Sequence, residues 1–236
     1  MVTPESIRES NLKFLNEHGF KPATWMPLPA QPGQLAEPGG FAGGVLRPQL
    51  ELASRFLCHA AVFAWGSAPD EFEPAIDALM QLGELRGDMT GDELKIVGMP
   101  KTVAREQFQG TVGWRLENMW SLAWLLGQIE EKPSATSGQL SEDVSGQLLA
   151  LILPDFDVSP SALTGNEPVA IEDAIAAEDL LYLAHNAVRS GQVGNMECVP
   201  KGFDPVGDGG AIHERRHALT WALSPGTSWN DTDLST

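Results

Sequence analysis

His213-Glu214-Arg215-Arg216-His217 is a run whose residue types can do chemistry in two incompatible ways. As H-E-x-x-H on a helix it sets two imidazoles one turn apart on one face, the spacing that chelates zinc, with Glu214 as general base. A catalytic zinc also needs a third ligand and an open position for water. No glutamate follows Glu214, so Asp231 and Asp233 are the carboxylates left downstream. His185 and Glu178 from the preceding helix are further candidates that no rule selects. Both middle positions are arginine, and cations beside a divalent ion raise its electrostatic cost. In the other reading, residues 211–223 form an amphipathic helix whose charges are structural. That second reading is preferred.

The structural reading needs partners for the charges. Arg115 and Glu117 lie on a segment that also carries Trp114, Trp120 and Trp124 and so reads as a core helix with little exposed face. Charges buried there must pair, and the planar guanidinium fork suits a carboxylate. Arg115 with Glu214, and Glu117 with Arg215 or Arg216, would form a cross-helix ionic lock. Tyr182 and His185, one turn apart below Glu178 and Asp179, read either as an acid–base group or as a satisfied polar cluster at a helix contact, the second being preferred. Cys58 and His59 are neighbours in sequence, but adjacent helical residues point apart, which disfavours a thiol–imidazole dyad. Gly39-Gly40 and Gly207-Asp208-Gly209-Gly210 lack the Lys-Ser/Thr of a phosphate loop. No cofactor is implied.

The elements that must position these groups are mostly α-helical. Thr3 caps, Pro4 opens and Gly19 stops a first helix whose Ile7, Phe14 and Leu15 share a face. Residues 20–47 form a long proline- and glycine-rich loop laid over the surface by Trp25, Met26 and Leu28. Helices follow at 49–65, with Leu50, Ala53, Leu57 and Ala61 at helical spacing, at 72–85 and at 102–108. Residues 93–97 fit either a short strand or a turn of helix. Further helices are expected at 111–130, 141–153 (broken at Pro154-Asp155-Phe156), 167–190 and 211–223. A loop at 132–138, a second irregular stretch at 191–210 and a tail at 225–236 complete the chain. The expectation is one compact multi-helix domain over 1–236, with at most a short β element near 93–97.

Three segments together resemble the bacterial domain of unknown function 4272. They are Trp114-Arg115-Leu116-Glu117 leading to Leu122-Ala123-Trp124-Leu125-Leu126-Gly127; Glu172-Asp173-Ala174-Ile175 with Asp179-Leu180-Leu181-Tyr182 and His185; and Glu214-Arg215-Arg216-His217-Ala218-Leu219-Thr220-Trp221 followed by Trp229-Asn230-Asp231-Thr232-Asp233. Residues 8–19 resemble that family's opening helix, so the likeness spans most of the chain. It implies a mainly helical fold and no chemistry. It also implies that the Glu-Arg pair of the third segment is the motif, with His213 and His217 incidental to it. The family's second segment is richer in leucine, and Asn230 stands where an acid is common.

Composition narrows the function. The 236 residues carry 32 acids against 15 Lys and Arg, a net charge of -17. That excludes non-specific nucleic-acid binding and docking on anionic lipid. It suits a basic protein partner. Two cysteines make no disulfide framework or metal cluster, and Cys58 reads as a buried thiol. Met1-Val2-Thr3-Pro4-Glu5 carries no export signal and the longest apolar runs are too short for a membrane span, so a cytoplasmic protein is expected. The expected function is a non-enzymatic binding protein, such as an immunity protein that neutralises a basic toxin in competition between bacteria. Its contact residues would be Asp70, Glu71, Glu73, Asp88, Asp92, Glu142, Asp143, Asp155 and Asp157, with Trp25 and Phe41 as apolar anchors. The alternatives are a zinc hydrolase at His213, Glu214 and His217, and a scaffold that self-associates through a tryptophan-rich face. For the lock, Glu117→Ala is expected to lower the thermal midpoint, with a loss of about 3–5 kcal/mol as a buried partner is stranded; an unchanged midpoint would remove it.

Overall fold

The computed structural model of the chain describes residues 2–36, 42–67, 83–152 and 159–236. Among these residues every regular element is helical, and none is a strand. The α-helices are α1 (Pro4–Glu17), α2 (Gln49–Ser67), α3 (Gly83–Asp88), α4 (Gly91–Val97), α5 (Lys101–Phe108), α6 (Trp114–Leu125), α7 (Glu142–Ala150), α8 (Ile171–Gln192) and α9 (Gly207–Ala222). Of the helix expected at 72–85, residues before 83 lie outside the described part, as does the break at 154–156. Contacts group the chain into two compact units: residues 1–47, 132–139 and 169–236, and residues 48–131 and 140–168.

The first unit is built on α8. It packs α1 and α9 against itself; Ala174, Leu181, Ala184 and Val188 are fully buried along it, as are Leu15 of α1 and Ile212 and Leu219 of α9. Burial of each such leucine contributes roughly 1.5–3 kcal/mol. Thr3 closes the start of α1 in a capping box: Ser6 N–H donates to Thr3 Oγ1 at 3.2 Å and Thr3 N–H to Ser6 Oγ at 2.9 Å. The buried face of α1 is Ile7, Arg8, Asn11 and Leu15. Phe14, expected on that face, is exposed and lies 4.2 Å from the His18 ring. Arg8 and Asn11 stand one turn apart because both serve Asp179 of α8. Arg8 Nε and Nη2 donate to Asp179 Oδ1 at 3.1 and 2.6 Å, and Asn11 Nδ2 donates to Oδ2 at 2.9 Å.

Arg8 also fixes the long loop. Its Nη1 donates to the Met26 carbonyl at 2.8 Å and its Nη2 to the Pro27 carbonyl. Met26 is the buried anchor, whereas Trp25 and Leu28, expected to lie down with it, are exposed. The end of the loop is stitched to the C-terminus of α9, with Gly43 N–H on Leu223 O and Arg47 N–H on Ala222 O, both at 2.9 Å. The start of α9 lies at 207, one turn earlier than the sequence suggests. Glycines 207, 209 and 210 read there as breakers, but Gly209 permits close packing: a Cβ on it would sit 2.5 Å from Val188 Cγ1.

The second unit is built on α2, with α3, α4, α5, α6 and the 3-10 turn Pro160–Thr164 packed around it. Ala53, Phe56, Leu57 and Ala60 are fully buried, while Leu50 at the exposed N-terminal end is not. Residues 93–97 belong to α4. Thr90 Oγ1 takes the Glu93 N–H at 3.3 Å and Glu93 Oε2 takes the Thr90 N–H at 2.9 Å, a capping box that commits the segment to helix. Helix α6 is followed, after its cap Leu126, by Gly127, whose φ of +69° suits glycine. The Glu167 carbonyl approaches it so closely that a Cβ there would lie 2.3 Å from the oxygen. Arg8→Met is expected to cost roughly 3–5 kcal/mol in chemical denaturation by stranding Asp179. Arg8→Met/Asp179→Leu should recover part of that loss, and a double variant no better than the single would show that the pair is not what α1 contributes.

Candidate functional site

The third sequence motif lies on α9, whose register buries Arg215 and Arg216 and leaves His213, Glu214 and His217 half-buried. Arg215 is fully enclosed. Its Nη1 donates to the carbonyls of Ser134 at 2.7 Å and Ser137 at 3.1 Å, and its Nη2 to Gly138 O at 2.6 Å, so it organises the 132–139 segment. Arg216, 1% exposed, lies 4.7 Å over the Tyr182 ring with Nε 3.7 Å from Glu178 Oε1. Its Nη1 donates to His185 Nδ1 at 2.7 Å and Leu234 O at 2.9 Å, and its Nη2 to Ser235 O at 3.2 Å. Of the expected lock, Arg115 and Glu117 belong to the second unit and Glu214, Arg215 and Arg216 to the first. Inside the second unit Glu117 is 2% exposed and accepts the Leu140 N–H at 3.1 Å. Arg115 Nη1 reaches Glu93 Oε1 at 3.1 Å, and Glu93 is also bound by Arg55.

The histidines have fixed roles. Because Arg216 donates to His185 Nδ1, the proton of His185 sits on Nε2 and is directed at His213 Nδ1, 3.3 Å away. His217 Nε2 donates to the Trp229 carbonyl at 3.0 Å, and its ring stacks on that tryptophan at 4.0 Å. The His213 and His217 rings thus stand 6.4 Å apart with different partners. Among the described residues no group of three His, Cys, Asp or Glu side chains is placed to hold a metal ion. The tail of the motif is in contact with its helix: Trp229 lies 5.5 Å from Trp221, and Leu234 and Ser235 are held by Arg216.

Glu178, Asp179, Tyr182 and His185 form the polar stripe of α8. Burial raises the Glu178 pKa above the ordinary carboxylate value, outweighing the pull of Arg216 and of the Thr220 hydroxyl, which donates to Oε1 at 2.9 Å. Burial likewise pushes the Tyr182 phenol up to about 12. It drives His185 down to about 3, with the Arg216 charge adding to the effect, and lowers His213 despite Glu214. In the second unit the Cys58 thiol is pushed up to about 12 by burial. A small recess opens beside the α8 stripe, walled by Pro27, Leu28 and Pro29 of the clamped loop, by Ala42, and by Glu178, Asp179 and Tyr182.

Of the expected contact residues, Trp25 is 73% exposed. Asp88, Asp92, Glu142 and Asp143 are exposed on or beside α3, α4 and α7; Asp92 is bound by Lys95 at 2.6 Å and Asp143 accepts from Gln147 at 3.1 Å. Phe41, Asp70, Glu71, Glu73, Asp155 and Asp157 lie outside the described residues. Sequence reasoning missed the Arg8–Asn11–Asp179 knot and Arg47. The available signal for the knot was Arg8 and Asn11 at i, i+3 within the apolar stripe of α1. Arg47 donates to the carbonyls of Trp221 at 2.8 Å, Ser224 at 2.7 Å and Thr227, with its guanidinium 4.1 Å over the Trp221 ring. No described helix is long and apolar enough to cross a membrane.

A family model described as a domain of unknown function (DUF4272) matches residues 8–232, and the chain belongs to that family. No curated protein and no solved structure matches it.

The depressed histidines give the fold a pH dependence of known sign. Their neutral forms are favoured by folding, so their contribution is complete above the unfolded value near 6.5 and is lost on acidification, for His185 as pH falls towards about 3. By pH 4.5, His185 is expected to remove roughly 2–3 kcal/mol. Glu178, raised by burial, acts with the opposite sign. The stability difference between wild type and His185→Gln, followed by urea denaturation from pH 7 to 4.5, should therefore shrink with acidification; a constant difference would refute the assignment.

Proposed function

We propose that this DUF4272 member is a non-enzymatic protein-binding domain that engages a basic protein, in the manner of an immunity protein neutralising a cationic toxin in competition between bacteria. The observation that carries the reading is Trp25. A tryptophan 73% exposed is a costly surface residue, and this one is followed directly by Met26 and Pro27, whose carbonyls a buried arginine holds. An aromatic displayed on a fixed backbone is the form of an interface anchor, because little ordering entropy remains to be lost on binding. In the same unit α1 exposes Glu5, Glu9 and Glu17. The net charge of -17 adds a field that draws in a cationic partner and speeds encounter.

The titratable groups favour this reading over catalysis. An effective general acid or base titrates near the working pH. Tyr182 and Cys58 are pushed to about 12 and His185 to about 3, away from it. The zinc reading would need His217 to give up the Trp229 carbonyl and His213 to give up His185.

The test is capture of the partner from the native host with tagged protein, followed by titration of the identified protein. A partner of high pI is expected, binding at least ten-fold more weakly when NaCl rises from 50 to 300 mM and at least ten-fold more weakly to Trp25→Ala. A partner whose affinity ignores both salt and Trp25, or no partner and no toxin gene adjoining this one, would overturn the reading.

A further inference from the structure

We propose that the recess between the Pro27-Leu28-Pro29 turn and α8 binds a primary ammonium group, the end of a lysine side chain on the basic partner, with Glu178 as its counter-ion. The inference rests on the protein-binding reading and adds to it a second contact on the loop that displays Trp25.

The two acids at the floor of the recess are not equivalent. Asp179 is saturated, each oxygen accepting from Arg8 or Asn11. Glu178 is only 7% exposed, yet its Oε1 alone receives a hydrogen bond, from Thr220. Arg216 forms an ion pair with that same oxygen through Nε at 3.7 Å, so both the hydrogen bond and the ion pair fall on Oε1. No group among the described residues donates to Oε2, and Glu178 lines the recess. Oε2 is not sealed away, since the side chain keeps 10% of its surface exposed; its donors must come from whatever occupies the recess, water or a ligand.

Size and wall chemistry select the ligand. The recess has room for little more than one water-sized group. An ammonium is of that size; a planar guanidinium with three nitrogens is larger. Pro27, Leu28, Pro29 and Ala42 make an apolar collar that suits the four-carbon stem of lysine. The collar is preformed, since Arg8 holds the Met26 and Pro27 carbonyls. Locally the two carboxylates are balanced by Arg8 and Arg216, so a free amine binds weakly, and the recess supplies specificity within a larger interface.

Tyr182 lines the recess and is the single tyrosine of the chain, so a ring-labelled sample gives one reporter. The full-length protein is titrated with n-butylammonium, 1-butanol and n-butylguanidinium at pH 7 and the Tyr182 ring signals are followed by NMR. A saturable shift is expected with n-butylammonium, at least ten-fold tighter than with the other two. It should be abolished by Glu178→Gln, weakened several-fold by Leu28→Ala at a half-exposed position that leaves the fold intact, and unchanged in Trp25→Ala. Equal binding of butanol would reduce the recess to an apolar crevice, equal binding of the guanidinium would overturn the lysine assignment, and no saturable shift would overturn the site. If the amine binds as expected but no basic partner is captured, the protein-binding reading and the lysine origin fall together while the ammonium site stands. If the partner is captured through Trp25 and Glu178→Gln leaves both titrations unchanged, the recess alone is refuted.

Discussion

A guanidinium removed from water keeps its charge and five N–H donors, and each donor left unmet costs free energy. In the first unit that demand is met largely by main-chain carbonyls of irregular segments. Arg8 takes Met26 and Pro27 in the long loop; Arg47 takes Trp221, Ser224 and Thr227 at and beyond the end of α9; Arg215 takes Ser134, Ser137 and Gly138; Arg216 takes Leu234 and Ser235 in the tail. Segments without helix or strand have carbonyls that secondary structure does not satisfy. The buried arginines and the irregular stretches therefore complete each other, and neither would be stable in its observed place without the other. Charge is settled separately, by Asp179 under Arg8 and Glu178 beside Arg216.

This arrangement decides what the polar stripe of α8 can do. A Tyr–His–carboxylate group on one helix has the composition of acid–base machinery, but burial sets its electrostatics and Arg216 its geometry. Arg216 donates to His185 and so fixes the tautomer, it lies on the face of Tyr182, and it faces Glu178. Burial suppresses protonation of the imidazole, with the Arg216 charge adding to it, and burial raises the phenol. Among the described residues, Glu178 Oε2 receives no donated hydrogen bond, and Glu178 lines the recess beside the Pro27-Leu28-Pro29 turn. In front of it Arg8 holds the Met26 and Pro27 carbonyls, and Trp25 beside them is exposed.

The sequence was most informative where hydrophobic periodicity and caps agree. The α8 pattern, the tryptophan-bearing α6 and the Thr3 start of α1 are read correctly to within a few residues. It misled where one residue type has two physical uses. Glycines at 207–210 look like a breaker, yet one of them permits the close approach of α9 to Val188. Thr90-Gly91-Asp92-Glu93 carries a complete capping box, but the β-branched Ile96-Val97 that follows obscured it. Phe14 and Leu50 match the apolar spacing of their helices and lie at the margin, where one more position of turn brings them to the surface. The arginine clamps could not be read at all, because their acceptors are carbonyls that every residue possesses. The exposure of Trp25 was equally hidden, since it depends on which neighbour the loop buries, and that neighbour is Met26.

The paired signature of α9 and the tail has a physical basis that neither half shows alone. Histidine spacing of four residues makes a chelating face only if both rings are free to turn toward a common point. In this protein the tail removes that freedom: Trp229 presents its carbonyl to His217 Nε2 and its indole to the ring face. It also lies against Trp221, one turn further on, while Leu234 and Ser235 close over Arg216. The Glu-Arg-Arg-His helix and the Trp-x-Asp tail are thus two sides of one contact, in which an imidazole, an indole and a guanidinium each meet a tail group suited to them. The second imidazole of the H-E-x-x-H spacing is engaged by a tryptophan twelve residues downstream of His217, in a segment docked on its own helix.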